Sequence, residues 1–422
     1  MKVLVIGSGA REHALCRSLS LDSAVSAVYC APGNAGIAQV AELRPVDALN
    51  AGAVADLAQQ LDADLVVVGP EGPLVAGVAD AVRARGIDCF GPSGTAARLE
   101  GSKAFAKEVM AAAAVPTARS YLCTTPEGAD HALDAFGPPY VVKDDGLAAG
   151  KGVVVTDDLD AAREHAASCG RVVIEEFLDG PEVSLFVLCD GESVLALQPA
   201  QDFKRVGDDD AGPNTGGMGA YTPLPWAPEG LTEELLRTVA QPTVDEMRRR
   251  GTPFSGVLYI GLALTSRGPR VIEFNCRFGD PETQVVLASL ATPLAGVLHA
   301  SATGRLAELE PLRWREGAAV TVVVAAENYP GTPRTGDPIE GLAEAAKVPG
   351  TYVLHGGTRR GEDDHVLSSG GRVLSVTATG DTLEHARERA YEAVGLITLP
   401  GSHHRTDIAA KAIKGEITVT TG

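Results

Sequence analysis

The sequence predicts a multidomain α/β and α+β protein: an N-terminal doubly wound parallel sheet, a central unit with a small subdomain, and a C-terminal α+β unit. Three observations carry this. Residues 1–100 alternate short apolar strands with helices, the order that builds a parallel sheet with helices on both faces. From about residue 119 to 190, short strands flank a glycine-rich loop. From residue 312 onward, several strands precede one well-marked helix. The expected units are 1–101, 102–310 (subdomain at about 119–190) and 311–422, and 422 residues suit two to four domains.

In the first unit Val3–Ile6, Ala27–Cys30, Leu65–Val68 and Ile87–Phe90 read as strands, and Glu12–Leu19, Val54–Leu61 and Leu74–Arg85 as helices. The loops carry Gly7-Ser-Gly9, Ala31-Pro-Gly-Asn-Ala-Gly36, Gly69-Pro-Glu-Gly-Pro73 and Gly91-Pro-Ser-Gly94. All four follow strand C-termini, the side of such a sheet where ligands bind. Gly7-x-Gly9-x-x-Glu12 departs from a dinucleotide fingerprint. Glu12 stands at the third glycine, and the second strand ends in Ala31-Pro32 without the acid that holds a ribose diol. Gly9, Ala10 and Arg11 at a helix start still suit a phosphate monoester.

Ser102–Ala114 reads as an alanine-rich helix. The strand Tyr140–Lys143 is followed by Asp144-Asp-Gly-Leu-Ala-Ala-Gly-Lys-Gly152 and the strand Val153–Thr156. Three glycines and a lysine between two strands suit a flap over phosphates. A hairpin turn with solvated charges is the plain alternative, since this is not the G-x-x-x-x-G-K-[ST] loop. Arg171–Leu178 reads as a strand with Glu175 and Glu176 on opposite faces, and Glu182 lies seven residues after Glu175. Gln201-Asp-Phe-Lys-Arg205 precedes Gly212-Pro-Asn-Thr-Gly-Gly-Met-Gly-Ala-Tyr221, whose glycines imply close backbone approach to a ligand. Leu231–Arg250 reads as a helix, and Gly256–Leu264 and Arg270–Asn275 as a strand pair. In the last unit Ala318–Ala325, Tyr352–His355 and Arg372–Thr377 read as strands. Thr382–Val394 reads as a helix, with Asp381 and Glu384 placed as a capping box.

The densest chemistry lies in Val271-Ile-Glu-Phe-Asn-Cys-Arg-Phe-Gly-Asp-Pro-Glu-Thr-Gln284. Val271, Ile272 and Phe274 read as a buried strand. Glu273 and Asn275 are two apart, so on an extended chain they project to one side. A carboxylate and an amide oxygen together suit a hard cation such as Mg²⁺. Arg277 brings a guanidinium to the same place, which is how a site for a transferring phosphoryl group is built. A strand end with a solvated turn, or an Arg277 paired with Asp280 to hold that turn, is the bland alternative.

Composition narrows the classes. With 45% hydrophobic and 22% charged residues the chain reads as a soluble globular enzyme, and no apolar run reaches membrane-spanning length. Met1-Lys-Val-Leu-Val-Ile-Gly7 leads straight into a strand, so no signal peptide is expected. A net charge of −19 argues against a nucleic-acid binder. Seven cysteines without a C-x-x-C pair read as inert core thiols in a reducing cytoplasm. The nine histidines lack zinc-ligand spacing, and His403-His404 reads as surface.

Taken together, the motifs resemble the phosphoribosylamine–glycine ligase (glycinamide ribonucleotide synthetase) family of the ATP-grasp superfamily over essentially the full length. The most specific element is Arg277-Phe-Gly-Asp-Pro-Glu-Thr-Gln284. Supporting runs are Gly9-Ala-Arg-Glu-His-Ala14, Ala31–Gly36, Leu99-Glu-Gly-Ser-Lys103, Asp145–Gly152, Glu175-Glu-Phe-Leu178 and Gly212–Gly219. The resemblance implies an ATP-grasp core with a flap subdomain, and ligation of glycine to 5-phosphoribosylamine with ATP through a glycyl phosphate. It implies that Lys103 and Lys143 neutralise the triphosphate under a flap that includes Gly150, Lys151 and Gly152. It places adenine on Glu175, Glu176, Phe177 and Leu178, the ribose hydroxyls on Glu182, and Mg²⁺ or Mn²⁺ on Glu273 and Asn275. Arg277 is implied to stabilise the transferring phosphoryl. Asp202, Lys204 and Asp280 are implied to act beside it, with Asn214, Thr215, Gly216, Gly217, Met218, Gly219, Pro281 and Glu282 lining the substrate pocket. The loops at Gly9 and Asn34 would help close over the sugar phosphate, and Glu71 is implied to be substrate-binding. The expected protein is a cytoplasmic monomer or small homo-oligomer with small-molecule substrates, no nucleic acid and no membrane.

Three departures stand out. Phe203 occupies a position often held by His in that family. Only Ser168-Cys-Gly170 remains before Arg171, where a glycine-rich insertion is expected. The strand Gly256–Leu264 offers no acidic metal ligand. Two other readings stay open: another ATP-grasp carboxylate–amine ligase of purine synthesis, and an NAD-dependent oxidoreductase, which lacks both its third glycine and its ribose acid here.

Overall fold

The computed structural model describes residues 1–147 and 152–420. Five parallel strands form the N-terminal sheet, in the spatial order Glu42–Leu43, Ala27–Pro32, Lys2–Gly7, Leu65–Val68, Asp88–Phe90. The winding reverses at Lys2–Gly7, so the loops after Gly7 and Val68 open at a switch point with a crevice outside the strand ends. Val3–Ile6 and Leu65–Val68 are buried, as apolar strands covered on both faces must be. The expected helix Leu74–Arg85 is instead two, Glu71–Val75 and Val78–Arg83. Gly77 between them has φ 81°, a left-handed conformation that no continuous helix admits.

After the helix Lys103–Ala112, N-capped by Ser102, comes the small subdomain. Its antiparallel strands lie in the order Ser120–Cys123, Val172–Glu175, Tyr140–Asp144, Val153–Thr156. The helices Pro126–Phe136 and Leu159–Ser168 close a separate core around Leu133, Val142, Ala162 and Ile174. The strand expected to reach Leu178 stops at Glu175. There the Glu176 N–H turns to the Arg119 carbonyl, and the chain returns to the main body.

The central sheet is antiparallel, in the order Val194–Ala196, Glu182–Asp190, Ser255–Thr265, Gly268–Asn275. One bulge in it shapes the site. Gly261 pairs with Glu273 and Leu262 with Val271, which leaves Ile272 as an extra residue. The insertion resets the alternation of faces. Phe274 and Cys276 are buried in the core, and Glu273 and Asn275 fall on the opposite face. Ile272 is half-buried rather than buried, and its carbonyl accepts a hydrogen bond from Lys143.

The helix expected over Leu231–Arg250 runs as Leu231–Leu235, a wide turn Leu236–Ala240 and Gln241–Arg249. Pro242 has no N–H for the carbonyl one turn back, and a π-type turn absorbs the defect. The C-terminal sheet is antiparallel, ordered Gln201–Asp202, Gly219–Thr222, Ala318–Ala325, Arg372–Gly380, Thr351–His355. Its first two strands come from the middle of the chain, so the glycine-rich loop joining them is bound to the C-terminal sheet. The helix Leu383–Gly395 packs on this sheet and is capped by Thr382, whose side chain accepts from the His385 N–H. The expected Asp381 cap is one residue too early, because Thr382 is the residue with extended dihedrals at the helix start. Among the described residues no helix is long and apolar enough to cross a membrane.

Candidate active site

Glu273, Asn275 and Arg277 converge where the strand Gly268–Asn275 ends. The Asn275 amide N–H donates to Glu273 Oε1 at 3.4 Å, so the two side chains share a face. Burial disfavours the charged Glu273. Lys204, Lys143 and Arg277 together outweigh it and hold the carboxyl below its ordinary pKa. Glu273 is therefore an ionised oxygen donor beside an amide oxygen, a pairing that fits a hard cation. Among the described residues no cluster of three or more His, Cys, Asp or Glu could hold a metal.

Arg277 reaches away from its own turn. Its Nη2 lies 3.0 Å from Glu100 Oε1 and its Nε 3.3 Å from Glu71 Oε2. The alternative of an Arg277–Asp280 pair fails, because Asp280 is held elsewhere. Gln284 Nε2 donates to Asp280 Oδ1 at 2.7 Å, and Arg372 stands 3.5 Å from Oδ2. Burial opposes ionisation of Asp280, but Arg372 and Arg11 keep its pKa below the usual value. Glu71, expected to bind substrate, is thus a partner of Arg277. Glu100 was not foreseen as a site residue, although it lies in the Leu99–Lys103 run.

The lysines form a second wall. Lys143 Nζ lies 2.8 Å from Glu175 Oε2, and Lys107 Nζ 3.0 Å from Oε1. The Glu175 carboxylate, expected on adenine, therefore sits between two ammonium groups. Lys107 also went unforeseen, although it lies one helical turn from Lys103 and so on the same face. Lys103 donates to the carbonyls of Asp144 (2.7 Å) and Gly146 (2.9 Å), tying the flap base to its own helix. Gly150 and Lys151 lie outside the described residues; Gly152 is at their edge, its carbonyl accepting from Asp144 N–H at 2.7 Å. The Glu176 side chain is taken by Arg119 and Arg267. Phe177 is 48% exposed and Leu178 half-buried on the linker back to the main body.

A third wall surrounds the glycine-rich loop. Lys204 Nζ lies 2.6 Å from Glu182 Oε2. Burial disfavours its ammonium, yet Glu182 and Asp202 outweigh that and raise its pKa. Asp202 shifts upward through burial first, with Lys204 opposing and Glu282, Glu182 and Glu273 adding to the rise. The Lys204 carbonyl accepts from both the N–H and the hydroxyl of Thr215, and Met218 N–H donates to Phe203 O. Those bonds need no side chain from Phe203, whose ring stacks toward Tyr221 and Arg405. Gly217 has φ 115°, and a Cβ there would run into Pro281. Only glycine lets this loop lie so close to the Asp280-Pro281 turn. Asn214 and Gly219 close the loop ends. Glu282 is buried and accepts from Ser184 Oγ at 3.0 Å.

The N-terminal loops explain the failed dinucleotide pattern. Glu12 Oε2 accepts the Gly9 N–H at 2.7 Å and Oε1 pairs with Arg11 Nε at 2.6 Å. The Glu12 side chain fills the space over Gly7 and Gly69 that a pyrophosphate would need. Arg11 in turn donates to Phe278 O, joining this unit to the signature turn. Asn34 has no free side-chain group: Oδ1 accepts from Gly36 and Ile37, and Nδ2 donates to Ser8, His355 and Gly356 carbonyls. It clamps the N-terminal unit to the C-terminal one. Between those units lies a cavity of about 440 Å³, walled by Gly9, Gly33, Asn34, Asp280 and, from the C-terminal unit, Gly357 and Arg372. The C-terminal wall was missed, although the doublets Gly356-Gly357 and Gly370-Gly371 between strands were a readable sign of close backbone approach.

Family models for phosphoribosylglycinamide synthetase match along the chain: the N domain at residues 1–100, the ATP-grasp (A) domain at 101–283 and the C domain at 319–411. The chain is 74% identical to a phosphoribosylamine–glycine ligase of Streptomyces coelicolor, covering 98% of this chain and 99% of that one. It is 59% identical to the enzyme of that name from Mycobacterium tuberculosis, covering 99% and 100%. A crystal structure of phosphoribosylamine–glycine ligase from Thermotoga maritima superposes with a TM-score of 0.83 at 32% identity, covering 97% of this chain and 100% of that one. The biotin carboxylase domain of Hydrogenobacter thermophilus 2-oxoglutarate carboxylase shares the fold at 18% identity with a TM-score of 0.73. The chain belongs to the phosphoribosylglycinamide synthetase family.

Proposed function

We propose that this protein joins glycine to 5-phospho-β-D-ribosylamine with ATP, giving N1-(5-phospho-D-ribosyl)glycinamide, ADP and phosphate in purine synthesis. The observation that carries the reading is the convergence of Glu273, Asn275, Arg277 and Lys143 at one strand end, three residues before an Asp280 that lines the cavity walled by both end units. A glycine carboxylate oxygen attacks the γ-phosphorus and ADP departs, leaving glycyl phosphate. The sugar amine then attacks the carbonyl carbon, and phosphate leaves with the oxygen that glycine supplied. No protein nucleophile is required.

The residues divide this work. Arg277, fixed between Glu71 and Glu100, meets the charge that develops on the transferring phosphoryl with donors already in place. Lys143 neutralises the phosphates; Lys107 shares its counter-ion Glu175, so the pair keeps a net positive charge. Lys103 ties the flap base, at the Asp144 and Gly146 carbonyls, to the phosphate wall. Adenine lies on the Glu175–Leu178 linker with Glu182 near the ribose. A divalent cation, Mg²⁺ or Mn²⁺, on Glu273 and Asn275 would supply charge neutralisation to the triphosphate. Asp202, whose proton affinity is raised, takes the proton that the amine sheds, and Lys204, paired with Glu182, is the cation that opposes that rise. Asp280, Pro281, Glu282 and the Asn214–Gly219 loop receive glycine, and the sugar phosphate occupies the cavity at Gly9 and Asn34. The division at 1–101, 102–310 and 311–422, a cytoplasmic setting and a monomeric or small homo-oligomeric state complete the reading. Seven free cysteines accord with a reducing compartment.

Release of ADP with each substrate omitted in turn tests the reading. ADP must need both glycine and phosphoribosylamine for sustained turnover. Equal turnover with another carboxylate or another amine would favour a different ATP-grasp ligase of purine synthesis.

A further inference from the structure

The C-terminal unit does more than pack against the ATP site. Arg372 leaves its strand at the cavity wall and fans its guanidinium across two loops that belong to other parts of the chain. Nη1 donates to Gly216 O at 2.7 Å, to Asp280 O at 2.6 Å and more weakly to Gly217 O at 3.4 Å. Nη2 approaches Asp280 Oδ2 at 3.5 Å. A second group of the same unit acts on the same loop: the Tyr329 hydroxyl accepts the Gly216 N–H at 2.9 Å. A Cβ on Gly216 would lie 2.9 Å from the Arg372 guanidinium carbon, so a side chain there must displace the guanidinium. Nη1 carries two N–H groups, enough for the Gly216 and Asp280 carbonyls, and the rigid guanidinium plane fixes the angle between them, which an ammonium on a flexible stem does not.

We infer that Arg372 is a positioning residue for the acceptor side of the reaction: it locks the Asn214–Gly219 loop and the Asp280-Pro281 turn into the arrangement that receives the sugar amine. The inference rests on the reading that the sugar phosphate occupies the cavity. It gives the C-terminal unit a part in receiving the phosphorylated sugar and leaves the nucleotide wall, built from Lys103, Lys107 and Lys143, untouched.

Steady-state kinetics on the full chain test this, with ATP, glycine and in situ-generated phosphoribosylamine varied separately. Arg372→Lys should raise KM for phosphoribosylamine at least about tenfold. KM for ATP should stay within about twofold, because no nucleotide-wall residue moves. Gly216→Ala, which pushes a methyl against the guanidinium while keeping Arg372, should raise the same KM in the same direction. It serves also if Arg372→Lys fails to fold. Ser369→Trp crowds the cavity at a lining residue that makes no hydrogen bond to either loop, and checks the underlying reading. If Ser369→Trp raises KM for the sugar amine while Arg372→Lys and Gly216→Ala do not, the cavity reading stands and the role of Arg372 is overturned. If Ser369→Trp has no effect, the sugar binds elsewhere and both fall. Equal rises in the KM for ATP and for the sugar amine with a lowered melting temperature would reduce Arg372 to a structural contact.

Discussion

Glu273 and Arg277 sit four residues apart on one short run, and their surroundings treat them differently. Three cations keep Glu273 ionised, whereas two carboxylates hold Arg277 in place. Glu273→Gln keeps size and removes charge, so turnover should fall at least about 10²-fold with the fold intact; near-normal turnover at ordinary Mg²⁺ would remove Glu273 from the metal shell. Arg277→Lys should lower kcat strongly while KM for ATP changes only a few-fold, because the planar fork matters most in the transition state. A protein that melts earlier yet stays active would assign Arg277 to holding Glu71 and Glu100 instead. At this scale much was legible. Period-two spacing put Glu273 and Asn275 on one side, and chain adjacency put Arg277 beside them. What could not be read was partnership across the fold: Glu100 is 177 residues from Arg277, and no local pattern links them.

Among the elements, strands read well and interruptions did not. Leu65–Val68 and Ala318–Ala325 matched to the residue because their runs of Val, Ala and Leu have no competing period. The bulge at Ile272, the break at Gly77 and the wide turn before Pro242 depend on register and backbone dihedrals, to which hydrophobic pattern is blind. The loop Ala31–Gly36 shows a different limit. Its Asn34 was readable as a cavity residue, but its side-chain clamp between the N- and C-terminal units was not. Asn34→Ala leaves buried Gly36 and Ile37 N–H groups without their acceptor, at a cost of about 1–3 kcal/mol per group. Urea unfolding should show that loss while KM for ATP holds. An unchanged midpoint would mean water replaces the amide without cost.

Across the whole molecule, three units meet at one cavity, and that meeting carries a pH signature. His13 from the N-terminal unit accepts the His355 N–H at 2.8 Å. Burial, then His355 and Arg17, lower the His13 pKa from 6.5 to about 3; burial, then Arg360, lower that of His355 to about 4. Both are neutral in the folded state. The unfolded chain binds their protons below pH 6.5, so their contribution is complete above that pH and is lost as pH falls toward the folded values. Urea midpoints should fall between pH 6.5 and 4, and His13→Gln should flatten that slope; an unaltered slope would place the acid sensitivity elsewhere. Element order within each sheet needs only local pattern, so the alternation of strands and helices before residue 100 was visible in the sequence. The docking of the units was not, because strands from 201–222 join a sheet built mostly after residue 318. The central claim is that ATP activates the glycine carboxylate and the sugar amine then displaces phosphate. Glycine labelled with oxygen-18 in its carboxylate tests this most directly, by mass analysis of the released phosphate. The account predicts one labelled oxygen in each phosphate formed. Unlabelled phosphate, with product still made, would contradict a glycyl phosphate and with it the roles assigned to Arg277 and Asp202.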